Sequence, residues 1–558
     1  MFAGMRRIVA ALTLLSASAP IALAQVIPPS ELPGRERERF TTYPTAPTIP
    51  GAPLIGLPSA APTPGASNVQ IIIRDVRISG STVYHPQELA LLYAEFIGQS
   101  VPLSAVFEIA KRITEKYGAD GFVLSRALVQ SQTIDPAGTI LQIHVVEGYV
   151  DRVEWPPELA SYRDFFSEYA AKITAERPAN LRTIERYLLL AGDLPGLRFR
   201  NRLVPSPSGP GAATLIVEYS EKKIDALARS DNLGSRARGP YQYLGSASFK
   251  NLLHAHEAFT VTAAGSWEFK ELTYFAANYR QVLNSEGLSA YVFAGYGWGK
   301  PGTFDLQSID YKTKSLVVEA GLTQPIIRQR DHNLTVTGLW FQSDDDGNIL
   351  SAPFSRDRLR GVRLRTEADW IDPLGAGNQL YAVVSQGIHG LGSTDNGNPL
   401  ASRKSGRVDF TKFEATFARV QPLPANFSIF NAALAQYGAT PLLYPEVCGY
   451  GGRVFGRAYD PSQLIGDNCF EILGELRFDF FYLPPAMTQA QLYLYADKAW
   501  LHNIAPDPGI AQNVNAASAG GGLRLGWLNT LTADLFAVKA VEGPRSDWRF
   551  RFIVTARY

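Results

Sequence analysis

The sequence predicts an all-β core with a small α+β preface. A 16-stranded antiparallel transmembrane β-barrel spans residues 222–558, after two α+β units of order β-α-α-β-β. Three observations predict it. From Lys222 onward the helical period disappears, and segments of about ten residues alternate apolar with polar side chains between clusters of turn residues. Composition leans the same way: 25 Tyr, 29 Phe, 8 Trp and 48 Gly stand against 3 Met. The charged fraction of 19% is below the usual level of about 25%. The chain also opens with an export signal, yet no later segment is apolar enough to cross a membrane as a helix. That leaves a soluble exported protein or a barrel.

The signal consists of Arg6-Arg7, the apolar run 8–15 and small residues ending in Ala22-Leu23-Ala24. This A-x-A pattern places the signal peptide at residues 1–24 and the mature start at Gln25. The run is shorter than the ~18 residues a membrane anchor needs. Removing Arg6 and Arg7 leaves 51 basic against 52 acidic residues, a net charge of −1, so no nucleic-acid footprint stands out. Residues 25–67 form a Pro-rich linker. Its one charged island, SELPGRERERF at 30–40, is a marginal helix because of Pro33 and Gly34.

Residues 68–149 read as the first unit. A strand over 69–79 precedes two helices, one carrying Leu89, Leu92, Tyr93 and Phe96, the other Val106, Ile109, Ala110, Ile113 and Tyr117. Gly118 and Gly121 fit the second helix's exit. Strands at 124–133 and 140–146 flank the turn Asp135-Pro136-Ala137-Gly138. The pattern repeats over 150–221, with helices carrying Phe166, Tyr169 and Ile173, then Ile184 and Leu188. Two tandem units of one order make an internal repeat.

The sixteen barrel strands are predicted to begin near residues 224, 241, 257, 272, 288, 315, 333, 358, 378, 412, 427, 471, 490, 516, 531 and 548. The last alternates most cleanly: Trp548, Phe550, Phe552 and Val554 oppose Arg549, Arg551 and Thr555. In the twelfth, Ile472, Leu476 and Phe478 oppose Glu471, Glu475, Arg477 and Asp479. Short turns alternate with long loops around 300–314, 344–357, 389–411, 439–470 and 503–514. Such alternation, with an even strand number, is what outer-membrane barrels show. Arginines facing a wet lumen cost little, whereas inside a sandwich core they would be expensive.

One stretch in the loop between the eleventh and twelfth strands resists both helix and strand. Residues 451–467 carry four glycines, a proline and two aspartates, yet Val454, Phe455, Tyr459, Leu464 and Ile465 are too apolar for a solvated loop. Here the chain resembles the two-partner secretion transporters (TpsB type, ShlB/FhaC/HecB-like haemolysin secretion/activation proteins), in the superfamily that includes BamA. The resemblance rests on Phe455-Gly456-Arg457-Ala458-Tyr459-Asp460 in the sixth outer loop, with Ala458 where the motif usually has Gly. It rests also on Gly121-Phe122 and Val145-Val146-Glu147-Gly148 at the ends of the first unit, and on the order of the parts. It implies that the α+β units are periplasmic POTRA domains and that the sixth loop tucks into the lumen. It further implies that Arg457 meets Asp497 on the inner wall of the thirteenth strand, whose parity turns Tyr493, Tyr495 and Asp497 to the lumen. Asp497 merely solvated is the alternative. The island at 30–40 would be a luminal helix at rest, with Arg35, Arg37 and Arg39 meeting acids such as Glu475 or Asp479.

Cys448 and Cys469 bracket the loop. An even pair in an exported chain suggests a disulfide, with two free thiols as the alternative. Closing a loop of that size would stabilise by roughly 3 kcal/mol. No G-x-S-x-G, P-loop or H-E-x-x-H pattern occurs, so no enzyme site, metal site or cofactor is expected. The resemblance implies a monomeric transporter in outer-membrane lipid that recognises an unfolded, secreted TpsA-type partner of haemolysin or adhesin class through its POTRA units. A BamA-like insertase and a passive porin are the competing readings.

Overall fold

The computed structural model describes residues 27–40 and 69–558, the side chains of Arg37 and Glu38 excepted. The predicted signal peptide 1–24 and residues 41–68 of the linker lie outside the described residues. No described helix is long and apolar enough to cross a membrane.

The N-terminal segment, 27–40, comprises a 3₁₀ turn at Pro29–Glu31 and a single helical turn α1 (Glu36–Phe40). The first α+β unit follows with β1 (Gln70–Ser79), α2 (Pro86–Ala90), β2 (Ser100–Pro102), α3 (Ser104–Ala119), β3 (Arg126–Val129) and β4 (Thr139–Val146). Its sheet order is β2-β1-β4-β3, with β1 and β4 parallel. The apolar stripe of α3 buries Val106, Ile109, Ile113 and Tyr117 against Ile71, Ile73, Leu141 and Ile143. The first predicted helix is shorter than expected. After Ala90 the chain tightens into i→i+3 bonds (Leu92 N to Leu89 O 3.0 Å, Phe96 N to Tyr93 O 3.0 Å) and a 3₁₀ turn at Ala94–Phe96. Apolar residues three apart suit either helix type, so the spacing did not discriminate. The predicted strand 124–133 also shrinks to β3.

The second unit contains β5 (Tyr149–Glu154), α4 (Phe166–Ala175), α5 (Leu181–Gly192), β6 (Leu197–Pro205) and β7 (Ala212–Glu221), with sheet order β5-β7-β6. Tyr169, Ile173, Ile184 and Leu188 pack on Leu215 and Val217. The unit is pinned to the inward turns of the barrel. Arg328 grips Asp193 with two bonds of 2.6 and 2.7 Å, Arg330 meets Glu185 at 3.2 Å, and Tyr187 donates to Glu286 at 2.9 Å.

The barrel closes through sixteen antiparallel strands. They are β8 (Ile224–Asp231), β9 (Gln242–Lys250), β10 (Glu257–Ser266), β11 (Thr273–Val282), β12 (Ser289–Gly299) and, after helix α6 (Phe304–Ser308), β13 (Lys312–Arg328). Next come β14 (His332–Ile349), β15 (Ala352–Ile371), β16 (Gly377–Gly387), β17 (Thr411–Pro422) and β18 (Phe427–Gly438). The sixth outer loop contributes its own small hairpin, β19 (Cys448–Tyr450) with β20 (Leu464–Gly466). The wall resumes with β21 (Asn468–Asp479), β22 (Met487–His502), β23 (Asn513–Trp527), β24 (Leu531–Glu542) and β25 (Trp548–Arg557), which pairs back onto β8.

Period-2 alternation decides the two faces. Leu494 is 62% exposed and Phe550 78% exposed on the outside, while their neighbours Tyr493, Tyr495 and Arg551 are buried inside. One predicted loop is not a loop. Residues 344–357 continue β14 and β15 into a projecting hairpin that turns on Leu350 and Ser351, both with positive φ (47° and 66°). Three consecutive aspartates masked the strand signal. They are accommodated because Asp344 and Asp346 meet Arg358 and Arg360 across the ladder.

Candidate functional site

The sixth outer loop, residues 439–467, folds back into the barrel and packs against β21 to β25. A disulfide between Cys448 and Cys469 ties its base to the first residues of β21. Above it, β19 pairs with β20 from Cys448↔Gly466 to Tyr450↔Leu464, so residues 451–463 form a closed tip. Phe455, Ala458 and Tyr459 are buried there with Tyr450, Leu473, Tyr493, Tyr495 and Phe536.

Gly456 is the conformational pivot of the tip. Its φ is +65°, and a Cβ built there would lie 2.8 Å from both Gly451 N and Tyr450 Cε1. A non-glycine residue in this region costs about 1–2 kcal/mol before any clash. Ala458 has no positive φ, and its methyl is buried, so the departure from the family motif is accommodated. Gly456→Ala is therefore expected to lower the barrel's melting midpoint and reduce secretion, whereas Ala458→Gly leaves both near wild type. Heat-modifiable electrophoretic migration reads the first effect, and a Gly456→Ala barrel that melts like wild type contradicts it.

The tip carries two polar anchors, and they are not the pair the resemblance implied. Arg457 Nη2 donates to Glu475 Oε1 at 2.6 Å. Glu475 also accepts from Arg477 Nε at 2.8 Å and from both Nη atoms of Arg524 at 3.1 Å. One fully buried carboxylate thus collects three guanidiniums. The Arg457 guanidinium lies over the Tyr495 ring, 4.5 Å from its centroid, with Tyr493 and Phe536 beyond. This stacking and hydrogen bonding needs a planar guanidinium and excludes lysine.

Asp497 holds backbone rather than arginine. Its carboxylate accepts Gly456 N at 2.8 Å, Tyr450 OH at 2.5 Å, and Ser518 N and Oγ at 3.0 and 2.7 Å. With those donors arranged around it, it forms no hydrogen bond or ion pair with Arg457 among the described residues. The two acids sit on neighbouring strands, with Glu475 opposite Tyr495 and Asp497 opposite Leu473. The depth at which the tip settles decides which of them the arginine reaches. Asp460 completes the clamp by accepting Arg549 Nη1 at 2.6 Å, and Tyr459 OH donates to the Glu542 carbonyl.

Residues 27–40 fill the outward half of the lumen beside this loop. Their contacts fall on the outward ends of the strands, on the outer loops 232–241 and 300–311, and on the sixth loop. Glu31 is the buried anchor: it accepts Arg238 Nε at 2.8 Å and Ser235 Oγ at 2.7 Å, and its carbonyl accepts Arg238 Nη2 at 2.8 Å. Arg35 donates to the Tyr444 and Val447 carbonyls at 2.9 and 3.0 Å. Arg39 bonds the Ser30 carbonyl, and its own carbonyl accepts Arg453 Nε at 3.0 Å. Phe40 stacks on Tyr274. The expected meeting of Arg35 and Arg39 with Glu475 or Asp479 does not occur, because Glu475 is taken by the loop cluster and Asp479 accepts Gln491 Nε2 at 3.0 Å. The Arg37 side chain lies outside the described residues. Glu31, Arg238 and Arg453 escaped the sequence reading. The one charged island of the linker, which opens on Ser30-Glu31, was the available signal for Glu31, whereas loop arginines such as Arg238 carry none.

The first unit's motif residues are structural. Gly121 leaves α3 with φ +95°, and Phe122 N bonds Tyr117 O at 2.8 Å. They precede β3 rather than opening it. Gly148 lies between β4 and β5, where a Cβ would meet Leu124 O at 2.3 Å.

Two family models match the chain. Residues 71–148 match the ShlB-type POTRA domain, and residues 211–525, more than half of the chain, match the haemolysin secretion/activation protein ShlB/FhaC/HecB. Outer membrane transporter CdiB of Escherichia coli is 23% identical over 491 residues, covering 84% of this chain and 79% of that protein. Heme/hemopexin transporter protein HuxB of Haemophilus influenzae is 24% identical over 469 residues, covering 82% and 80%. Among solved structures, CdiB from Escherichia coli superposes with a TM-score of 0.69 at 19% identity, over 91% of this chain and 94% of that one. CdiB from Acinetobacter baumannii gives 0.60 at 15% identity, over 92% and 95%. These matches select a transporter over an enzyme, an insertase or a porin. The chain belongs to the ShlB/FhaC/HecB family of haemolysin secretion/activation proteins, and is a two-partner secretion transporter of the outer membrane with its POTRA domain in the periplasm.

Proposed function

We propose that residues 150–221 are a second POTRA domain, and that the pair captures an unfolded TpsA-type partner and feeds it into the barrel of residues 222–558 past a displaceable N-terminal plug. The plug is the observation that carries this reading. Residues 27–40 occupy the lumen, yet among the described residues none of them joins a sheet, and their backbone-to-backbone hydrogen bonds are internal (Glu31 N to Pro28 O, Leu32 N to Pro29 O). Side chains hold the segment to the wall, so it leaves without unzipping a strand. The sixth-loop tip, covalently closed at its base, stays as a brace on β21 and β22.

Capture is by β-augmentation. In the second unit β6 is a nine-residue edge strand paired on one side only, to β7. Its exposed row Arg198, Arg200 and Arg202 keeps the edge soluble and favours an acidic or polar incoming strand. A photo-crosslinker at Asn201 is expected to trap the secreted TpsA-type partner when its export is stalled. Crosslinks confined to β3 of the first unit would refute this placement.

A further inference from the structure

The projecting hairpin of β14 and β15 treats its two faces differently. On one face every carboxylate has an arginine: Asp344 meets Arg360 at 2.7 Å, and Asp346 meets Arg358 at 2.9 Å and Arg356 at 3.3 Å. On the luminal face Asp345 and Asp357 are directly opposite partners on one rung, 0% and 1% exposed. Neither forms a salt bridge among the described residues. Each has one oxygen satisfied, Asp345 Oδ2 by Ser343 Oγ at 2.7 Å and Asp357 Oδ1 by the backbone N of Ser402 at 2.9 Å. The other oxygens, Asp345 Oδ1 and Asp357 Oδ2, have no hydrogen-bond donor among the described residues, and neither does the buried Oγ of Ser355 two residues away.

Like charges directly opposite on a ladder repel, and burial removes the screening that would make this tolerable. A proton shared between the carboxylates would relieve the charge but not supply a partner to the Ser355 oxygen. A hard cation does both. Ser315 flanks Asp345 on the other side, across the β13–β14 ladder, so hydroxyl and carboxylate oxygens line one rung over three strands. We propose that the Asp345–Asp357 rung, with Ser355 and Ser315, binds one calcium ion entering from the cell exterior. Calcium fits because it accepts irregular sets of six to eight oxygens, waters included, whereas magnesium demands a tighter octahedron. The plug lies against this rung: a Cβ on Gly34 would sit 3.0 Å from Asp345 Cγ. A bound ion therefore fastens the hairpin to the outer loop at Ser402, directly beneath the plug.

The full chain, refolded free of lipopolysaccharide into detergent and stripped of metal by chelator, is titrated calorimetrically with Ca²⁺ and, separately, Mg²⁺. The expected result is one calcium per chain, bound at least tenfold more tightly than magnesium, and a melting midpoint that rises with calcium concentration. Asp345→Asn/Asp357→Asn should lose that response, and Asp346→Asn on the opposite face should keep it. No calcium response in the wild-type chain, an equal response in the double variant, or magnesium binding as tightly as calcium overturns the assignment. Should the double variant fail to fold, Ser355→Ala serves in its place, with a several-fold weaker calcium affinity expected and an unchanged one counting against the site.

Discussion

Glu475→Gln is expected to abolish secretion of the partner and to lower the yield of folded barrel more than any other change in the sixth-loop site. The carboxylate is 1% exposed and receives Arg457, Arg477 and Arg524. Removing its charge leaves guanidiniums buried without compensation, of which, among the described residues, only Arg524 keeps another acid in an ion pair, Asp534 at 3.3 Å. Breaking a buried pair from one side costs about 3–5 kcal/mol, a large share of the stability of most folds. Arg457→Ala should be milder, because it deletes a cation from a cluster that already holds three against one. Asp497→Asn should be milder still: its amide oxygen keeps only one side of the donor set, Gly456 N or the Tyr450 and Ser518 donors, but no buried guanidinium loses its counter-charge. Heat-modifiable migration and partner release, measured on all three variants, test this ranking. A normal Glu475→Gln transporter beside a dead Asp497→Asn one would show that the arginine works through Asp497 after all.

Glu31→Ala is expected to open the resting channel. Glu31 and Arg238 are each 1% exposed, so truncating the acid strands a buried cation and removes the plug's strongest tie at once. With about 3 kcal/mol lost and a factor of ten for every 1.4 kcal/mol, the plug's displaced population should rise about a hundredfold. In planar bilayers this appears as a higher and longer-lived conductance, while the melting midpoint of the barrel barely moves because the wall is untouched. Unchanged conductance would mean that the sixth loop alone seals the lumen. Arg238→Ala should open the channel less, because Glu31 keeps Arg39 at 3.9 Å and the Ser235 hydroxyl at 2.7 Å.

Much of the architecture was legible because a barrel in lipid has few options. Every strand must alternate, and that period places the starts of fifteen of the sixteen to within about three residues, β15 beginning at Ala352 rather than near 358; parity alone placed Glu475, Tyr493, Tyr495 and Asp497 in the lumen. The amphipathic stripe of α3, from Val106 to Tyr117, was equally plain. Misreadings came where two local solutions share one pattern. The three-residue spacing of Leu89, Leu92 and Phe96 fits a 3₁₀ turn as well as an α-helix. The aspartate run 344–346 looks like a loop until the arginines of the facing strand are aligned with it.

Sequence by itself determined the strand count, the face each strand side chain takes and the cysteine pair that brackets the sixth loop. These depend on local period and composition, which one chain displays in full. Only the tertiary structure decided that Arg457 goes to Glu475 while Asp497 holds Gly456 N, and that Glu31 rather than an arginine anchors the plug. Candidate partners on adjacent strands, or separated by some 200 residues of chain, all satisfy the same parity. The choice among them rests on how deep a folded segment sits in the lumen, and that depth is set by packing across the whole barrel.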